Sequence, residues 1–187
     1  RLGLKYPILI KPHLRYCSSM KRHIIIADDG PEQNPDSELL DSFWQQAINA
    51  VPEIARDHQV RSIGIDEETT DLIIEFITTG EKIGTYSLPW LMEAEGYPKA
   101  ITYTPIILVS YDGIPKVVVQ ITGVYETTFG NISLNDTSLD GPPVRDLDIW
   151  IPLHTEYWNG LLSKYNLACT SDMPVLVEKF KFIYGVM

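Results

Sequence analysis

The strongest hydrophobic periodicity lies at residues 36–50, where Leu39, Leu40, Phe43, Trp44, Ala47 and Ile48 recur at the i, i+3, i+4 spacing of one helix face. Ser37 is the expected cap, and Pro52 limits the far end. A second apolar face, Leu72, Ile73, Phe76 and Ile77, predicts a helix over 67–79, with acids early where the helix dipole favours them. Gly80 then serves as a left-handed cap, because glycine carries no Cβ penalty there. The period next changes to two. A strand is expected from about Ile83, with Thr85 and Ser87 on one face and Tyr86 on the other. Residues 106–111 and 116–125 predict a hairpin across Asp112-Gly113. A third helix is expected over 147–165, with Pro152 in its first turn or marking a later start, and a closing strand over 173–184. Residues 23–27 read as a short strand. Residues 28–35, 90–98 and 129–146 read as irregular, rich in proline, glycine, asparagine and acids. Strands before, between and after helices make the class α+β.

The chemistry collects at the change of period. Lys82 sits at the turn beside Thr85 and Ser87, so one amine and two hydroxyls gather where a helix ends and a strand begins. Taken alone this is either a small polar site or a solvated turn lysine with ordinary strand hydroxyls. Trp90 serves a ligand platform or packing equally well, since an aromatic face accepts any nucleobase. His154 follows Trp150 by four residues and shares its helix face; a lone histidine beside a buried tryptophan is more often structural. Glu178, in the closing strand, reads as a paired or exposed acid. His13, His23 and His58 are scattered and lack partner cysteines, so neither a metal nor a cofactor is expected. There is no glycine-rich phosphate loop and no nucleophile elbow.

Six short motifs occur in order: Phe43-Trp44; Gly80-Glu81-Lys82; Thr85, Ser87 and Trp90 followed by Glu93 and Glu95; the Gly113-Ile114-Pro115 turn; Trp150 with His154; and a Met-Pro-Val-x-x-Glu-x-Phe run from Met173 to Phe180. In this the chain resembles the ASCH domain family, a branch of the PUA-like β-barrels, over roughly residues 40–184. The resemblance implies a mixed β-barrel flanked by helices, with a pocket by the Gly-x-Lys turn. It also implies a nucleoside or RNA base as ligand, with amide hydrolysis of an acylated nucleoside, or ribonuclease action, as associated chemistry. Carried onto this chain, Thr85 is the nucleophile, Lys82 its base and Asp140 the assisting acid, with Gly80, Ser87, Trp90 and His154 around the ligand. A threonine hydroxyl needs such a base, and a partly desolvated lysine can supply one. Two departures from the family pattern matter. Prolines 142 and 143 stand where another acid is expected, which weakens catalysis, and Ser87 stands, as is common in this branch, where many members have an arginine, which weakens a phosphate or RNA claim.

Charge narrows the partners. With 25 acids against 15 bases the net charge is −10, which argues against general duplex binding and leaves a small neutral ligand or a local basic groove. The 187 residues suit one domain plus an extension: residues 1–35 as an extension, with Met20 a candidate native start, and 36–187 as the ASCH-like domain. The apolar runs Ile106–Val109 and Val117–Val119 are too short to span a bilayer, and Leu2–Ile10 is no secretory signal, so the expected location is cytoplasmic. Cys17 and Cys169 are expected as free thiols. Three readings follow: a nucleoside or RNA-base pocket with hydrolysis, the same pocket without catalysis, or an acidic interaction domain meeting a basic partner. The oligomeric state is not legible.

Overall fold

A computed structural model of the chain describes residues 20–26 and 34–186, so the expectations for residues 1–19 and for most of the 28–35 loop lie outside the described residues. Helix α1 (Ser37–Ala50) is capped by Asp36, whose carboxylate accepts from the backbone N–H groups of Glu38 and Leu39, both at 2.9 Å, rather than by Ser37 as expected. It buries Leu40, Phe43, Trp44 and Ala47 as the spacing predicts. Helix α2 (Glu67–Thr79) ends on Gly80 at φ 78°, the left-handed cap. Its orphan carbonyls are taken up by the next turn, with both Glu81 and Lys82 donating their N–H to Phe76 O.

The strands are β1 (Arg22–Ile25), β2 (His58–Ser62), β3 (Gly84–Ser87), β4 (Pro105–Val109), β5 (Pro115–Thr128) and β6 (Pro174–Gly185). They form one mixed sheet in the order β1-β2-β4-β5-β6-β3, parallel from β1 through β4 and antiparallel thereafter. Among the described residues the sheet is not closed, and β1 and β3 are its edges. It nevertheless curls as a barrel does. Arg61 on β2 and Glu178 on β6 lie three strand spacings apart, about 14 Å on a flat sheet whose side chains stand perpendicular to it. They meet at 2.7 and 3.0 Å. The face that carries them is therefore concave.

The core follows from that curl. On the outer face α1 packs Leu40, Trp44 and Ala47 against Val60, Ile107, Val109 and Val118. Farther round the same face, helix α5 (Leu147–Ser163) brings Trp150, Trp158 and Leu162 onto Val175 and Val177 of β6. The concave face holds Ile106, Leu108, Val119, Ile121 and Phe180, with Ile77 of α2 packed among them.

Three expected outlines change. Residues 90–98 are not a loop. Pro89 and Trp90 open a short helix α3 (Pro89–Glu95), because proline is pre-set for the first helical position and Gly96, at φ 69°, closes the far end. The irregular segment contains one α-helical turn, α4 (Leu134–Thr137), fixed by a Ser133–Asp136 capping box, and two 3-10 turns at Phe129–Asn131 and Pro142–Val144. Pro152 lies inside α5, beyond its first turn, since Asp146 caps the helix well upstream.

Candidate functional site

The turn between α2 and β3 is clasped by the loop that precedes α5. Ile83 N–H donates to Leu139 O at 2.9 Å, Arg145 donates to Glu81 O, and its Nε donates to Asp140 O at 2.8 Å. This clasp sets Asp140 beside Lys82, 58 residues away, where Lys82 Nζ donates to Asp140 Oδ1 in an ion pair. Only 5 % of Lys82 and 6 % of Asp140 are exposed. The carboxylate is further satisfied by Gly141 N–H at 2.8 Å and by the indole Nε1–H of Trp150 at 3.1 Å. A buried pair is stable only when its remaining hydrogen-bonding groups find partners, and Gly141 and Trp150 supply them to the carboxylate.

Trp150 extends the cluster. His154 stacks on it, ring centroids 3.7 Å apart, and Tyr86 meets it edge-on at 4.7 Å. His154 Nδ1 is 2.8 Å from Trp150 O, and a carbonyl can only accept, so Nδ1 carries the proton of the neutral ring. Burial lowers the His154 pKa to about 4. Burial, then the charges of Asp140 and Asp136, holds the Tyr86 phenol well above its ordinary value, and its hydroxyl donates to Asp136 O at 2.7 Å. Lys82, Asp140, Trp150, His154 and Tyr86 thus form one assembly, on the side of β3 covered by α5.

Thr85 and Ser87 face the other way. In the β3–β6 register Thr85 opposes Glu178, so the two share the concave face. Glu178 is 0 % exposed. Its Oε2 accepts from Arg61 Nη1 at 2.7 Å and from Ser87 Oγ at 2.8 Å, and its Oε1 accepts from Arg61 Nη2 at 3.0 Å. Arg61 Nε donates to Gln59 Oε1 at 2.8 Å, and Gln59 Nε2 to Pro98 O at 3.0 Å. The guanidinium spends three of its five donors this way and keeps two. Beside it lies a cavity of ≈ 40 Å³, walled by Ile63, Ile106, Leu108, Val119 and Phe180 and edged by Arg61, Ser62 and Thr85. The Thr85 hydroxyl has no hydrogen-bond partner among the described residues.

The structure therefore brings Lys82 together with Asp140, and sets Trp150 and His154 against that pair. It brings Thr85 and Ser87 together with Glu178. The Lys82 ammonium donates to Asp140, and no hydrogen bond joins it to the Thr85 hydroxyl. Gly80 is the exposed helix cap, and Trp90, on α3, packs half-buried against the Trp150 core. Sequence reasoning missed Gln59 and Arg61 because the strand that carries them is polar. The one available signal was that Gln59 and Arg61 alternate with His58 and Val60. Among the described residues no cluster of His, Cys, Asp or Glu could hold a metal ion, and no helix is long and apolar enough to cross a membrane.

A curled mixed sheet with helices packed on both faces and a clasped turn at Lys82 defines an α+β domain class. Within that class the chain belongs to the ASCH domain family, whose profile matches residues 60–184. It is similar in structure to an ASCH domain from Lactobacillus crispatus JV V101, with TM-score 0.71 and 21 % identity over 82 % of this chain and 98 % of that one. It is also similar to protein EF3133 from Enterococcus faecalis V583, with TM-score 0.68 and 18 % identity over 78 % and 88 % of the two chains. At these identities the likeness is one of fold. No curated protein matches the chain.

Proposed function

We propose that this chain is a ligand-binding ASCH domain whose concave face takes the edge of a nucleobase-like ring, free or within RNA, without cleaving it. The observation that carries this reading is the Arg61–Glu178–Ser87 network, which fixes a donor-rich edge beside the unpartnered Thr85 hydroxyl and between apolar walls. Such a mixture of apolar walls and a few fixed polar groups is the usual build of a small-molecule site. A cavity of ≈ 40 Å³ takes the edge of a ring rather than a whole nucleoside, so the sugar would remain at the mouth. The spare Arg61 donors favour a carbonyl edge, as on uracil, over an amino edge.

Amide hydrolysis through Thr85 would need Lys82 to hold a free lone pair within hydrogen-bond reach of that hydroxyl. The ammonium donates to Asp140 instead, so binding without turnover is the reading the geometry favours. The test is to incubate the protein, with Thr85→Val and Lys82→Ala variants, with uridine, cytidine, N-acetylated cytidine and a short single-stranded RNA. Binding is read by calorimetry and products by mass spectrometry. Saturable binding without product is expected, weakened about tenfold or more by Thr85→Val, which deletes one ligand-facing hydrogen bond of about 1.5 kcal/mol. Product that disappears in Lys82→Ala would overturn this reading in favour of a hydrolase.

A further inference from the structure

A second concavity, unconnected with the residues above, lies where the chain enters β2. Its volume is ≈ 390 Å³, and it is lined by Arg56, Asp57, Ile101, Thr102, Tyr103 and Thr104. That volume is in the range of small-ligand sites. Tyr103 is its unusual member. Its φ is 74°, a left-handed conformation that bulky residues rarely adopt and that glycine or asparagine would normally fill at this point of a turn. The backbone is nevertheless held firmly. Tyr103 N–H donates to Ile121 O at 2.8 Å, Ile121 N–H returns to Thr104 O at 3.0 Å, and Thr104 N–H closes the turn on Ile101 O at 2.9 Å. The ring gains little burial from this, since Tyr103 is 60 % exposed and Ile101 71 % exposed. A conformation maintained against its local preference, with the side chain left in solvent, is a mark of a surface built to contact something.

The chemistry of the wall says what. The Arg56 guanidinium stands 5.8 Å from the centre of the Tyr103 ring, within cation–π range. One of its N–H groups is spent on Glu53 O at 3.0 Å, which fixes the fork and leaves the others to face an anion. Asp57 accepts Lys21 N–H on Oδ1 at 2.8 Å and keeps its second oxygen for a hydroxyl or amine donor. The exposed part of an aromatic ring, a guanidinium over that ring and a carboxylate next to it in the chain match, in turn, a flat ring, an anionic group and a polyol or amine.

We propose that Arg56, Asp57 and Tyr103 form a binding site for a planar aromatic monoanion or dianion of the nucleoside monophosphate class, with the ring on Tyr103 and the phosphate on Arg56. The site stands on its own residues and does not depend on the concave-face reading.

Titrating isotope-labelled protein with uridine monophosphate, and separately with uridine, tests it through backbone amide shifts. The monophosphate is expected to shift the amides of Arg56, Asp57 and residues 101–104 saturably, and uridine to do so at least tenfold more weakly. Arg56→Gln should bring the monophosphate down to the affinity of uridine. Tyr103→Gly should weaken both at least tenfold while leaving the thermal midpoint unchanged or higher, because glycine accepts the left-handed turn. Amide shifts confined to Arg61, Ser87 and Glu178 would support the concave-face site and overturn this one. Unchanged affinity in both variants would overturn it as well.

Discussion

His58 and His154 both titrate near pH 4, and in both burial is the larger cause. His58 lies flat on Trp44, centroids 4.1 Å apart, and neither ring nitrogen has a hydrogen-bond partner among the described residues. The Arg22 charge lowers its pKa further, against the opposing pull of the Asp57 and Asp41 charges. For His154 the Lys82 charge works in the same direction as burial, while Asp140 and the Trp150 carbonyl oppose it. Each histidine thus has a folded pKa of about 4 against 6.5 when unfolded, so the unfolded chain binds the proton first. The stability they contribute is complete above about pH 6.5 and declines toward pH 4, with a slope on the order of 1 kcal/mol per pH unit for each. Urea midpoints followed by tryptophan fluorescence from pH 4.5 to 7, at about half-unit steps, should rise with pH. His58→Phe, which keeps a ring on Trp44, should flatten that rise; an unaltered slope would remove His58 from the account.

At the level of elements, the α2–β3 turn shows how much of the site was legible. The apolar faces of α1 and α2, the glycine cap, the strand after it and the hairpin all follow from periods of 3.6 and 2 and from turn residues. Those are local interactions, readable in a window of a dozen residues. Strand β2 escaped because His-Gln-Val-Arg-Ser has only one aliphatic residue, and the burial of Gln59 and Arg61 depends on Pro98 and Glu178, partners that are distant in sequence. The Lys82–Asp140 pair was half legible: both residues were singled out, but as a base and an acid acting on Thr85 rather than as partners of one another. Gly84 reports on the clasp that joins them. A Cβ there would stand 2.7 Å from Leu139 Cβ, whereas at Gly80 it would meet nothing within 4 Å. Gly84→Ala should therefore cost about 1–3 kcal/mol by overpacking and push the Asp140 loop away. Gly80→Ala should cost about 1–2 kcal/mol through its backbone alone. The Trp150 indole N–H resonance, which senses Asp140, should move in Gly84→Ala and stay in place in Gly80→Ala. The opposite pattern would rule out the clasp.

For the molecule as a whole, a net charge of −10 sets the terms of association. Phosphate-driven duplex binding relies on counterion release from many lysine and arginine contacts, and a surplus of carboxylates opposes it. A labelled RNA or DNA duplex should show no anisotropy change at about 0.15 M salt, where charges are screened beyond about 8 Å. A small-ligand affinity on the concave face should vary little with salt. Tight duplex binding would mean that a basic surface dominates despite the total.

Composition and periodicity by themselves determined the α+β class, three of the helices, the left-handed cap at Gly80 and the gathering of Lys82, Thr85 and Ser87 near one turn. Ordered short motifs added the family. Only the tertiary structure decided which face each of those residues serves. The curl of the sheet brings Arg61 to Glu178 across 117 residues and gives Thr85 and Ser87 their setting, while the loop before α5 claims Lys82 for Asp140 on the opposite side. The physical reason is range. Helix faces and caps arise from neighbours three or four residues apart, whereas a buried charge is stable only beside a partner that the chain must fold to deliver.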